Sequence, residues 1–257
     1  MIIDSHCHLT DERLAPFAEE IISLMRADGL ESVVTVGYDR ESSLGGYDIA
    51  NGHDGVYCAL GIHPHSASEA TADDYAEFSA LASSEKVVAI GEIGLDYYYD
   101  LSPRDVQRRV FREQLELAHA LSLPVALHVR DAYGDCLDIL KSSRHLLAHG
   151  VLLHCYSGSA EMVREFSALD CYYAFGGAIT FKNARHNLEA LAAVPRDRLL
   201  LETDSPYMTP VPYRGKTNFP KYVGLVADKM AQVLSLPREE VERITAENTK
   251  RLFFKMK

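Results

Sequence analysis

No apolar run in this chain of 257 residues approaches the roughly 18 residues that a membrane span needs, so no membrane association is expected. The first residues lack a basic stretch followed by an apolar one, so no secretory signal is expected. Five cysteines (Cys7, Cys58, Cys136, Cys155 and Cys171) are scattered, odd in number and never spaced C-x-x-C, which argues against a disulfide framework or a zinc ribbon. Reduced, buried thiols in a cytoplasmic protein fit this usage. Basic residues are in deficit: 26 Lys and Arg stand against 37 Asp and Glu, for a net charge of −11. That balance disfavours a broad basic surface gripping long nucleic acid through many phosphates. It leaves room for a small cationic pocket, because bound metal ions add charge that a residue count omits. Linker-like and low-complexity segments are also lacking, so residues 1–257 read as one domain. No obvious exposed apolar stripe is evident, which favours a monomer.

What the chain does have is a recurring pattern of short β-branched runs, near Ile2–Asp4, Ser32–Val36, Val56–Gly61, Val87–Gly91, Pro124–Val129, Val151–His154, Cys171–Phe175 and Leu199–Glu202. Amphipathic stretches lie between them, at Leu14–Ala27, Asp73–Leu81, Asp105–Ala120, Asp131–Leu140, Glu161–Ala168 and Arg185–Ala193. Two more helical patterns follow the last strand, near Tyr222–Leu234 and Arg238–Phe253. Strand–helix alternation over a whole chain implies a parallel sheet with helical crossovers. Eight strand candidates predict a TIM-type (β/α)8 barrel with additional C-terminal helices. An open doubly wound sheet is the competitor, and no G-x-G-x-x-G follows the early strands to support it. Ser205–Pro220, with four prolines, reads as a long loop over one barrel mouth.

The opening MIIDSHCHL places His6 and His8 two residues apart. On a strand, residues i and i+2 share a face, so the pair fits half of a metal site or simply two imidazoles on a hydrated strand. Asp4 is expected on the same face and Cys7 on the opposite one. In barrels of this type, chemistry collects at the C-terminal strand ends. There stand Glu92, His128, His154 and Asp204, after the fourth, fifth, sixth and eighth predicted strands. Period two aligns Val88 and Ile90 with Glu92, Ala126 with His128, and Leu152 with His154. Four histidines and two carboxylates exceed what one tetrahedral ion needs. They suit two divalent ions (Zn, Mn or Mg) about 3.5–4 Å apart that share a carboxylate. Glu92 is the expected bridge; His6, His8 and Asp204 would complete one ion, and His128 and His154 the other. Asp204 is the expected general base toward an activated water. Asp4 and Glu202, one layer deeper, are expected to hydrogen-bond ligating imidazoles, or else to serve as buried structural groups.

The stretches DSHCHL, GIHPH, GEIGLDYYYD, PVALHVRDA, HCYSGS, FGGAITFK, LETDSPYMTPVPYRGKTN and AENTKRLF resemble TatD-type metal-dependent hydrolases and deoxyribonucleases. The resemblance runs essentially end to end. It implies an amidohydrolase-like barrel, a divalent metal centre and phosphodiester hydrolysis, often as a 3′-to-5′ exonuclease on DNA. It implies ligand roles for His6, His8, Glu92, His128, His154 and Asp204, with Glu92 where many amidohydrolases carry a bridging lysine. It makes His63 a contact to substrate phosphate or transition state, the alternative being a loop histidine bonded to backbone. His65 beside it and Arg130, two residues past His128, join the substrate-binding candidates. Arg130 could hold a phosphate bidentately or pair with Asp131 or Glu92. The chain departs from the family in its late loop. The usual R-G-K-R-N-E-P is here Arg214, Gly215, Lys216, Thr217, Asn218, Phe219, Pro220, without the second arginine and the glutamate.

The leading expectation is therefore a two-metal deoxyribonuclease acting on DNA ends, on single strands or terminal nucleotides. The same site could instead hydrolyse an amide or ester, such as a small metabolite or a D-aminoacyl ester. Tyr97–Tyr99, Tyr156 and Tyr207 could stack on unpaired bases or pack as ordinary loop tyrosines.

Overall fold

The computed structural model describes residues 1–257. The β-branched runs become β1 (Ile2–Cys7), β2 (Leu30–Val36), β3 (Val56–Leu60), β4 (Val87–Asp96), β5 (Val125–Arg130), β6 (Val151–Leu153), β7 (Tyr172–Phe175) and β8 (Leu199–Leu201). Each pairs in parallel with the next, in one sheet ordered β1 to β8. A parallel bridge between Cys7 and Ser205, with hydrogen bonds from His8 N to Ser205 O (2.8 Å) and from Asp204 N to His6 O (2.9 Å), joins the last strand to the first. The result is a (β/α)8 barrel. Around it lie α1 (Ala18–Leu24), α2 (Arg40–Gly52), α3 (Ala72–Leu81), α4 (Arg104–Ala120), α5 (Tyr133–Ser142), α6 (Ala160–Ser167) and α7 (Arg185–Ala193). Two helices, α8 (Val223–Leu234) and α9 (Arg238–Leu252), follow β8. No helix is long and apolar enough to cross a membrane.

Helix α2 was not foreseen by periodicity. Its sequence RESSLGGYDIANG is polar and carries two adjacent glycines. A capping box starts it instead: Asp39 accepts from Ser42 N at 2.8 Å, and the Ser42 hydroxyl accepts from Asp39 N at 3.0 Å, which satisfies orphan donors of the first turn.

Two apolar layers hold the barrel. The lumen is filled by Ile3, Val34, Val36, Tyr57, Ala59, Val88, Ala126, Leu152, Ala174 and Leu200. Leu252, Phe253 and Met256 from the C-terminal end join this cluster, so the chain's last turn plugs the floor opposite the strand C-termini. The second layer packs strand residues such as Val33, Cys58, Leu127 and Leu153 against Phe78, Phe111, Leu115 and Phe166 of the helices. Each fully buried side chain of this kind contributes roughly 1.5–3 kcal/mol.

Irregular pairing re-aims side chains at the active rim. On β1, Asp4 pairs with Val33 but Cys7 with Thr35, so β1 carries one extra residue. On β4, Ile90 pairs with Val125 but Ile93 with Leu127, again one extra. Such bulges shift the face on which later residues project. They correct two expectations of strict alternation. Ile90 packs in the outer layer rather than below Glu92. Asp4 turns onto the end of β8, accepting from Thr203 N (2.8 Å) and Thr203 Oγ1 (2.6 Å), and touches no ring of the histidine pair. Burial raises the Asp4 pKa to about 8 against the opposing Thr203 hydrogen bonds. It acts as a neutral-leaning tie between β1 and β8.

Candidate metal centre

The rim gathers side chains from β1, β4, β5, β6 and the ends of β3 and β8 around one carboxylate. Glu92 is buried in the β4 bulge. Its Oε2 lies 3.4 Å from His6 Nε2 and 3.6 Å from His8 Nε2. Its Oε1 lies 2.8 Å from His154 Nε2, 2.9 Å from His128 Nδ1 and 3.6 Å from His63 Nε2. Asp204 Oδ1 stands on the His8 side, 3.4 Å from His8 Nε2. One carboxylate thus presents each oxygen to a separate set of imidazole nitrogens. The triads His6–His8–Glu92 and His63–Glu92–His128 each bring three donor atoms together closely enough for one ion.

Hydrogen bonds behind the rings set the tautomers. His8 Nδ1 donates to Val36 O at 2.8 Å, which directs its Nε2 lone pair inward. His128 is reversed: its Nε2 bonds Asp96 Oδ2 at 3.0 Å, leaving Nδ1 toward Glu92. His63 Nδ1 accepts from His65 N at 3.1 Å, so a neutral His63 carries its proton on Nε2, aimed into the site. His65 Nε2 lies against Asp96 Oδ2 at 3.0 Å. Behind His154, Glu202 Oε2 stands 3.7 Å from Nδ1, beyond hydrogen-bond reach, while Glu202 Oε1 accepts from Cys155 N at 2.6 Å. His6 Nδ1, His154 Nδ1 and Glu202 Oε2 are buried without partners.

Asp96 is the residue that sequence reading missed. It ends the GEIGLD run and is fully buried. Its Oδ2 meets both His128 and His65, and its Oδ1 accepts from the amides of Tyr98 (3.0 Å) and Tyr99 (2.9 Å). Burial works against its charge, but the His128 and His65 hydrogen bonds hold its pKa well below the ordinary carboxylate range. Only the added length of β4 could have revealed it. A strand ending at Gly91 leaves Asp96 in a loop, whereas a strand continuing to Asp96 brings it opposite Arg130 on β5. Gly94 makes that continuation possible. Its φ is +137°, and a Cβ there would run into the His128 carbonyl oxygen.

The titration directions describe a pool of negative charge. Burial alone would raise the Glu92 pKa, yet His154, His63 and His128 hold it well below its usual value. Asp204 is lowered likewise, burial being outweighed by the His8 hydrogen bond and the neighbouring imidazoles. Burial would lower His8, His128 and His154, but all three are raised: by Asp204 and Glu92, by Asp96 and Glu92, and by Glu92 and Glu202 respectively. His6 falls to about 4 through burial and the charge of His154, and His63 falls well below its usual value through burial and His128. A pocket that draws protons onto three buried rings carries charge that a divalent cation could neutralise in their place. The donor set of neutral-capable imidazole nitrogen and carboxylate oxygen therefore fits such ions.

The remaining candidates are placed as follows. Arg130 forms no ion pair with Asp131 or Glu92; its guanidinium carbon sits 3.9 Å from the Tyr98 ring centroid and 4.8 Å from that of Tyr99. Tyr156 is a core side chain, and Tyr97 hydrogen-bonds Asp135. Tyr207, at the mouth, donates to Asp11 at 2.9 Å. In the late loop, Asn218 Nδ2 donates to Thr203 O (2.9 Å) and Tyr207 O (2.7 Å), pinning the loop across the mouth. Phe219 packs edge-on against Phe17, and Arg214 lies over Phe181.

Comparison with known proteins gives the family. The profile of the TatD related DNase family matches residues 3–254. The uncharacterized metal-dependent hydrolase YabD of Bacillus subtilis is 44% identical over 253 residues, covering 98% of this chain and 99% of that protein. A Cronobacter turicensis protein named 3′-5′ ssDNA/RNA exonuclease TatD is 35% identical, covering 99% of this chain and 98% of its own. The crystal structure of the TatD homologue YJJV from Escherichia coli K12 superposes with a TM-score of 0.92 at 28% identity, covering 98% of both chains. On this evidence the chain belongs to the TatD-related DNase family of metal-dependent hydrolases.

Proposed function

We propose that this protein is a two-metal phosphodiesterase that removes nucleotides from the 3′ ends of DNA, with residues 1–257 acting as one catalytic domain. The observation that carries the reading is the division of the Glu92 carboxylate between two sets of nitrogens. His6, His8, Glu92 and Asp204 would hold one divalent cation, and Glu92, His128 and His154 the other. When bound, such ions supply Lewis acidity that lowers the pKa of water and positive charge that steadies attacking and departing oxygens.

The protein's own groups supply the rest. Asp204 is held ionised by His8 and its neighbours, so it can accept a proton from the attacking water at a carboxylate oxygen. His63, neutral and protonated on Nε2, can donate a hydrogen bond to a non-bridging phosphate oxygen without adding a second cation. His65, held by Asp96, buttresses His63 at a ring separation of 4.3 Å. The Cronobacter relative's name supports the choice of substrate. So does the acidic exterior, which suits a short site for one or two terminal nucleotides better than a duplex-gripping groove. Zn²⁺, Mn²⁺ and Mg²⁺ are the candidate ions.

The test is an assay of oligonucleotides with a free or blocked 3′ or 5′ end, single- or double-stranded, across a panel of these metals. A D-aminoacyl ester and a cyclic amide serve as controls. Stepwise release of mononucleotides from free 3′ ends is expected. Turnover of the ester or amide with no nucleotide release under any metal would overturn the reading.

A further inference from the structure

Tyr98 and Tyr99 are large side chains more than half exposed, at 59% and 54%, beside a buried catalytic rim. Their rings stand edge to face with centroids 4.9 Å apart, and the Arg130 guanidinium lies over both. This cluster is not loosely placed. The backbone amides of Tyr98 and Tyr99 are fixed on Asp96 Oδ1, while Oδ2 of the same carboxylate holds His128 and His65. It is also contiguous with the rim. Tyr99 meets His65 at 5.4 Å between ring centroids, and His65 meets His63 at 4.3 Å. Exposed tyrosine rings capped by an arginine that no carboxylate neutralises form a surface for a flat, electron-rich group attached to an anion.

Resting on the phosphodiesterase reading above, we infer that Tyr98, Tyr99 and Arg130 form a stacking platform for one unpaired nucleobase of the substrate, next to the phosphate being cleaved. A nucleobase joined through one sugar to a phosphate at His63 has the right form for this patch. Tyrosine faces accept any base, so the platform selects unpaired nucleotides rather than a sequence. A base held in a duplex stack cannot lie on it. Asp96 gives the arrangement its coherence, because it orients His128 and the platform from opposite oxygens of one group.

The experiment compares a single-stranded oligonucleotide with the same oligonucleotide carrying an abasic site at the nucleotide next to the scissile phosphate. Both are tested against the wild type, Tyr98→Ala/Tyr99→Ala and Tyr98→Phe/Tyr99→Phe. Metal content and thermal melting are measured for all three. The wild type is expected to prefer the base-bearing substrate by about 5- to 150-fold in KM. The alanine pair is expected to lose most of that preference, and the phenylalanine pair to retain it. An unchanged preference in the alanine pair overturns the platform while leaving the nuclease reading intact. An equal loss on both substrates assigns the tyrosines a structural role and likewise overturns it. Failure of the wild type to cut either oligonucleotide, with its metals bound, overturns the nuclease reading and the platform with it.

Discussion

Replacing Asp96 by asparagine tests the logic of the centre, because the two side chains have one shape and differ in what they donate. In the wild type, Asp96 accepts from four groups: His128 Nε2 and His65 Nε2 at 3.0 Å each on Oδ2, and the amides of Tyr98 (3.0 Å) and Tyr99 (2.9 Å) on Oδ1. If the asparagine oxygen stays on the two backbone amides, its NH2 faces both rings. His128 Nε2 must then accept, and the proton of the neutral ring moves to Nδ1, the atom 2.9 Å from Glu92 Oε1. A protonated Nδ1 has no lone pair to offer a cation. The flipped amide instead sets NH2 against two N–H donors, at about 1–3 kcal/mol for unsatisfied buried groups. The first arrangement withdraws the Nδ1 nitrogen; the second keeps it and is read instead as lost stability in urea unfolding. Loss of such a partner typically weakens metal affinity about 10- to 100-fold, or roughly 1.4–2.8 kcal/mol. Competition titration against a chromogenic chelator measures the affinity, and nitrogen NMR of the rings reports the tautomer. Wild-type affinity together with wild-type stability, with His128 still protonated on Nε2, would refute the reasoning.

Other outcomes follow from the same geometry. Because the carboxylates raise His8, His128 and His154, a cation must displace protons from these rings. Apparent metal affinity should therefore keep climbing as pH rises above the ordinary imidazole pKa of about 6.5, with proton release visible as a buffer-dependent heat in calorimetry; a profile already flat above that pH would contradict this. Gly94→Ala places a Cβ against the His128 carbonyl at φ +137°. It should cost about 1–3 kcal/mol in urea unfolding and weaken metal binding together with stability, whereas an alanine at Gly134, where nothing crowds a Cβ, should do neither. Leu152→Ala empties a fully buried lumen position below His154 and should lower the unfolding free energy by about 2–5 kcal/mol, read from the urea midpoint.

Much of this was legible in the sequence, and the failures have physical causes. Strands bury both faces in a barrel, so their apolar runs stand out between amphipathic helices, and eight of them in series leave few topologies. The convergence of His128, His154 and Asp204 follows from strand polarity, and Glu92 joins them through the β4 bulge. Helix α2 escaped because its start rests on the Asp39–Ser42 capping box rather than on an apolar stripe. Strict alternation misplaces Ile90 and Asp4 because bulges insert an extra residue, which no periodicity registers. Asp96 was overlooked for a related reason: it lies beyond the bulge, on a strand extension that only Gly94 permits. The ion-pair alternative for Arg130 fails because the exposed pair Tyr98 and Tyr99, brought beside it by the fold, lies under its guanidinium in place of a carboxylate.

The central claim is that one carboxylate is shared by two cations. Crystals grown with Mn²⁺ or Zn²⁺ and measured at the metal absorption edge test it most directly. The account predicts two anomalous peaks, one on each side of Glu92, the first contacted by His6, His8 and Asp204 and the second by His128 and His154. A single peak, or ions bound away from Glu92, would contradict it.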